Sequence, residues 1–192
     1  MKLRVVDAVV LFLLGAVAGL IGDHSHVATG TTEYSTDVVP FVWSSPFWFP
    51  VLVGGATVSL AELRLWLRPP RPALTVRQGL AGVVAVVGMY CLTALTHMGP
   101  VVPVTVLIAA LATLVWCVLG DAPSVVCGVL AAVIGPVVEI LLVATGVFRY
   151  ADDTDGLLGV APFLLPLYFA FGVVAALLGE LSSGARKAAS SA

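Results

Sequence analysis

Charge is scarce in this 192-residue chain: only 10% of its residues are Asp, Glu, Lys or Arg, against about 25% in a soluble domain. With 60% apolar residues and a mean hydropathy of +1.10, the composition excludes an ordinary soluble domain. The net charge is −2 and the nine Lys and Arg residues are dispersed, so no basic surface for nucleic acid is expected. Cysteine is equally sparse. Cys91, Cys117 and Cys127 are odd in number and lie in or beside apolar runs; they read as small buried residues and not as a disulfide set. No nucleophile motif, phosphate-binding loop or metal-ligand set occurs, so neither catalysis nor a cofactor is expected.

What the chain does have is six apolar runs, at about 5–21, 46–67, 78–96, 100–119, 124–147 and 162–181. Each can cross a hydrocarbon core ~30 Å thick at ~1.5 Å per residue. Backbone amides in lipid need internal partners, so helices are the expected form. The fold class is therefore an all-α integral membrane protein with six transmembrane helices. Residues 1–182 form one domain and 183–192 a short polar tail. Eight of the nine cations fall on one side of these runs: Lys2, Arg4, Arg64, Arg68, Arg71, Arg77, Arg186 and Lys187. Because cytoplasmic loops keep an excess of Lys and Arg, both termini are expected to be cytoplasmic. A rival reading treats Lys2, Arg4 and the run ending at Ala16-Val17-Ala18 as a cleavable signal, which leaves five spans; the length of the run and the placement of the charges favour six.

Arg149 is the exception to the charge map. It lies in the 148–161 loop, with Asp152 and Asp153 near enough to offset it. The 22–45 segment lacks Lys and Arg and reads as a long polar outer loop, with Asp23, His24 and His26 solvated within it. Asp153-Thr154-Asp155-Gly156 is only part of a calcium loop, since Ala151 fills the leading acidic position and no closing Glu follows.

Glu139 is the polar residue that most needs a reason, because a carboxyl inside a span must be protonated, paired or facing a polar cavity. Pro136, three residues earlier, is expected to kink the helix and free a carbonyl. Glu139 reads either as a polar contact in a ligand cavity or proton path, or as a group bonded to a neighbouring helix. Asp7 and Glu62 lie near the ends of their runs and read as structural. Trp48 belongs to an aromatic cluster with Trp43, Phe47 and Phe49, expected at the headgroup level or walling a lipid pocket. Trp66 and Trp116 suit a belt on the opposite side. Tyr90 and Thr93 offer neutral hydrogen-bonding groups within the third run.

Several patches, taken together, resemble the Insig family, the six-span proteins of the endoplasmic reticulum that bind oxysterols. They are Val9-Val10-Leu11-Phe12 with Gly15; Ser44-Ser45-Pro46-Phe47-Trp48-Phe49-Pro50 with Gly54; Trp116; the 142–150 stretch ending Gly146-Val147-Phe148-Arg149-Tyr150; and Pro166 with Gly172. Their order and spacing cover nearly the whole chain. The resemblance implies the six-span fold, an intramembrane lipid pocket and no catalysis. In the family an Asp soon after the fourth-span Trp supports binding to the sterol-sensing escort protein Scap. Here that position is Leu119 and the nearest acid is Asp121. Ile140 stands where the family's fifth span carries an amide.

The Ala-, Val- and Gly-rich composition suits a bacterial inner membrane, where sterols and Scap are generally lacking; in a eukaryote the resemblance implies the endoplasmic reticulum. The expected ligand is a sterol, a diacylglycerol or a similar glycerolipid, contacted by Glu139, Tyr90, Thr93, Trp48 and Trp116. The alternative is a small proton-coupled transporter using Glu139 beside a broken helix. A third reading is an assembly role, as a homo-oligomer or as a partner of another membrane protein.

Overall fold

The computed structural model describes residues 2–35, 39–152 and 154–190. Six helices carry the chain: α1 (Val5–Thr29), α2 (Trp48–Leu67), α3 (Val76–Leu95), α4 (Val101–Leu119), α5 (Ala122–Ala144) and α6 (Leu164–Ser190). All six are long and apolar enough to cross a membrane, so the six-span architecture stands. Helices α3 and α5 open with capping boxes, Thr75 with Gln78 and Asp121 with Ser124, which satisfy backbone N–H groups that have no partner within the helix.

The last helix is the axis of the bundle. In α6, 61% of the span is buried, against at most 33% in any other helix. Helices α5, α2, α1, α3 and α4 follow one another around it. Two glycines of α6 permit close approach. A Cβ built on Gly172 would overlap the Cys127 carbonyl oxygen of α5, and one on Gly179 would lie 2.8 Å from the Ala61 carbonyl oxygen of α2. Small residues at such crossings allow backbone-to-backbone packing where no hydrophobic force drives association.

The two ends of the bundle differ. At the basic end, the Leu3 N–H donates to Glu62 Oε1 at 2.7 Å, and Arg64 of α2 meets Glu180 of α6; the start of α1 and the far part of α6 therefore share this end. At the opposite end the connections form two short antiparallel ladders not foreseen in the sequence. Strand β1 (Thr32–Tyr34) pairs with β4 (Phe148–Tyr150), while β2 (Phe41–Val42) and β3 (Ser45–Pro46) form a hairpin.

Three expectations change. Helix α1 does not stop near Ile21 but runs two further turns to Thr29, where Gly30 in the left-handed region (φ 74°) closes it. Asp23 and His26 are thus buried helical residues (4% and 1% exposed) and not parts of a solvated loop. Hydropathy falls at Gly22, yet the helix continues because both polar side chains find partners inside. Helix α6 likewise continues through Ser190, past the expected end of the sixth run near Leu181. Finally, the main partner of Arg149 is Glu33 across the β1–β4 ladder, with Nη2 to Oε2 at 2.5 Å, while Asp152 adds the weaker attraction expected of it; Asp153 lies outside the described residues.

Candidate functional site

Two polar clusters interrupt the apolar bundle, one at each end. The first surrounds a cavity of about 20 Å³, room for one water-sized group. Asp23 and His26 reach it from α1, Tyr90 from α3, Glu139 from α5, Thr32 and Tyr34 from β1, and Tyr150 from β4. Trp48 and Phe49 close one side. The β1–β4 ladder is what makes this convergence possible, since it draws the α1–α2 and α5–α6 connections together at one end of the bundle.

Each buried carboxyl is held by hydroxyl donors. Tyr150 and Tyr168 each donate to Glu139, to Oε2 and Oε1, at 2.5 Å. Tyr34 donates to both oxygens of Asp23 at 3.0 and 3.1 Å, and Ser45 donates to Oδ2 at 2.5 Å. Burial, reinforced by the nearby carboxyls, pushes the Tyr34 and Tyr150 phenols above their ordinary range, so both keep their protons and act as donors. No Lys or Arg lines the cavity. His26 Nε2 pairs with Thr93 Oγ1 at 2.9 Å rather than with either carboxyl. Among the described residues Thr32 Oγ1 is buried without a partner. Tyr168→Phe should cost about 1–3 kcal/mol, because it strips a donor from a buried carboxyl; thermal unfolding in detergent measures it, and Tyr168→Phe with Glu139→Leu should unfold higher than Tyr168→Phe alone.

One helical turn below on α1 and α3 lies a second void of about 30 Å³, walled almost wholly by apolar side chains. Leu14, Gly15 and Ala18 of α1 face Val83, Val86 and Val87 of α3 and Val174 of α6 across it. The layer between the voids is Gly22 against the Tyr90 ring, so close that a Cβ on Gly22 would overlap the ring.

The structure thus brings together Glu139, Tyr90 and Trp48 at one cavity, with Thr93 behind His26. Trp116 is not brought there. It sits at the basic end of α4, half-exposed, with Nε1 3.4 Å from the Asp121 carbonyl oxygen. Sequence reasoning passed over Asp23, Tyr34, Thr32 and Tyr150. The spacing of Asp23 and His26, one turn apart at the end of an apolar run, was the available signal. Helix α5 runs unbroken through Pro136, and Glu139 sits toward the end of the bundle opposite the basic one, bonded to two tyrosines. The broken-helix premise of the transporter reading is therefore absent.

The second cluster joins α2, the α2–α3 connection, the α4–α5 link and α6. Arg64, wholly buried, donates through Nη2 to Asp121 and Glu180, both at 2.6 Å, and through Nη1 to the Arg68 carbonyl at 2.8 Å. Arg71 pairs with Glu180 at 2.7 Å and donates to the Leu119 and Gly120 carbonyls, both at 3.0 Å. Two cations and two carboxylates balance here. Asp121 is thus engaged within the chain, capping α5 and pairing with Arg64.

A six-helix bundle of membrane-spanning length, with an apolar void under a polar cap, defines a polytopic membrane protein. No family model matches the chain. An INSIG protein homologue from Mycolicibacterium vanbaalenii is 70% identical to it over 97% of this chain and 91% of its own length. The crystal structure of the mycobacterial Insig homologue MvINS from Mycobacterium vanbaalenii matches with a TM-score of 0.96 at 70% identity, covering 97% of this chain and 98% of that one. A structure of a cross-linked MvINS R77C trimer matches equally well. The chain belongs to the INSIG family.

Proposed function

We propose that this INSIG-family protein binds a membrane lipid between α1, α3 and α6, without catalysis, as a sensing or regulatory component of a bacterial inner membrane with both termini in the cytoplasm. One observation carries the reading: a polar cavity bearing two carboxyls and an unpartnered hydroxyl lies along the same helices α1, α2 and α3 as an apolar void. A lipid with a small hydrogen-bonding head and a long apolar body, such as a sterol, diacylglycerol or similar glycerolipid, matches that order. Its head meets Glu139, Tyr90 and Trp48, with Thr93 steadying His26 behind them. Its chains enter at the lower void, whose about 30 Å³ must widen between α1, α3 and α6 to hold them, once the Tyr90 ring turns away from Gly22 and joins the two. The lack of Lys and Arg at the cavity disfavours phosphate-bearing heads. Trp116 serves as an interfacial anchor instead of a ligand contact.

The cross-linked trimer of the homologue supports self-association here too. Arg77 of α3 is exposed, and Val76, Leu80 and Val84 beside it are 74%, 62% and 70% exposed.

Mass spectrometry of lipids co-purifying with the protein tests the reading. We expect one neutral lipid class enriched at least fivefold over the bulk membrane, and that enrichment lost in Val87→Trp, which fills the lower void. No enriched class, and no uptake of added diacylglycerol or sterol, would sink the reading.

A further inference from the structure

The geometry points to a primary-ammonium site in the outer cavity: a –CH2–NH3+ group, or the methylammonium ion that represents it, held by Asp23 and Glu139 within aromatic walls. This concerns the same cavity as the lipid reading but does not depend on it, since a soluble ion suffices as ligand.

The first argument is charge. Two carboxyls, Asp23 (4% exposed) and Glu139 (8%), line one cavity, and neither Lys nor Arg is among the described residues that line it with them. Neither histidine bonds to a carboxyl: His26 pairs with Thr93 and His24 with Ser44 at 2.7 Å, His24 acting on Asp23 only through a weaker electrostatic attraction. The basic end of the same protein shows the contrast, since there the buried Glu180 and the part-buried Asp121 are each paired with an arginine. Buried carboxylates are costly without a cation, and the outer pair leaves the cation's place to a ligand.

The walls are the second argument. Trp48 and Tyr34 stand edge to face at 6.5 Å and 78°, and Tyr34, Phe148 and Tyr150 follow in contact at 5.7 Å steps. Aromatic faces attract cations, a primary ammonium included, through their quadrupoles.

The third is an independent sign of an occupant. Thr32 is 5% exposed, lines the cavity, and its Oγ1 has no partner among the described residues. With the two carboxyls it supplies three acceptors for three N–H donors. Size then narrows the class. About 20 Å³ admits a group the size of water, so –NH3+ fits and a quaternary ammonium does not. A hydrated Mg2+ also exceeds that space, and Ca2+ asks for about six to eight oxygens.

The test uses the full-length protein in detergent, with Trp43, Trp66 and Trp116 replaced by Phe so that Trp48 alone reports. Methylammonium chloride is titrated at constant ionic strength against sodium chloride and tetramethylammonium chloride. We expect a saturable change in Trp48 emission with methylammonium only, and binding at least tenfold weaker in Asp23→Asn and Glu139→Gln. Should those variants fail to fold, Thr32→Val should weaken binding severalfold, and Thr32→Ser should restore it. No response, an equal response to sodium or tetramethylammonium, or wild-type binding in the folded variants overturns the proposal. Loss of this site with lipid enrichment intact removes the ammonium inference alone; the reverse result removes only the lipid reading.

Discussion

Arg64→Leu should lower stability by about 3–5 kcal/mol, the cost of removing one partner from a buried ion network. The guanidinium is fully buried and binds Asp121, Glu180 and the Arg68 carbonyl. Without it, Arg71 alone must serve two acids. It reaches Glu180 at 2.7 Å but Asp121 only at 3.9 Å, so one carboxylate is left under-compensated. Arg64→Leu with Glu180→Leu removes a matched pair and should recover much of the loss, since apolar replacement of a whole buried pair is often neutral. Thermal unfolding of the purified variants in the same detergent provides the comparison. A single variant as stable as the parent would show that the network is not a clamp.

Gly172→Leu should be the next most damaging change, abolishing recovery of a monodisperse protein. Any Cβ at this position overlaps the Cys127 carbonyl of α5, and the Gly128 Cα would lie 2.8 Å away. These are backbone atoms, so no rotamer relieves the clash, and α5 must move off the central helix. Overpacking a well-packed crossing costs about 1–3 kcal/mol, and a branched side chain against backbone falls at or above the top of that range. Gly55→Leu is the control, because nothing lies within 4 Å of a Cβ there; it should behave as the parent in size-exclusion chromatography and thermal unfolding. Equal behaviour of the two variants would contradict the packing account.

The spans were legible because length and hydropathy are what a bilayer demands; α2, α3 and α4 start and stop within two residues of expectation. The end of α1 was not, since hydropathy stops at Ile21 while the backbone continues for as long as Asp23 and His26 have partners. Those partners, Tyr34, Ser45 and Thr93, are brought near only by tertiary pairing of segments far apart in sequence. Glu139 announced itself as a carboxyl in an apolar run, yet its two tyrosine donors lie 11 and 29 residues away. Arg64 read as one more cytoplasmic cation. Its burial depends on Glu180 and Asp121, on two other elements, and charge counting does not reveal that. Trp116 fitted an interfacial belt and a ligand site equally well by residue type; the fold places it at the basic end, away from the polar cavity.

Photolabelling tests the central claim most directly. Purified protein is irradiated with a diacylglycerol bearing a diazirine in its acyl chain, digested, and mapped by mass spectrometry. The account predicts saturable labelling, competed by unlabelled diacylglycerol, on the void-facing residues Val83 and Val87 of α3 and Val174 of α6. Labelling confined to outward-facing residues such as Val84 and Leu141, and unaffected by competitor, would contradict a lipid site between the helices.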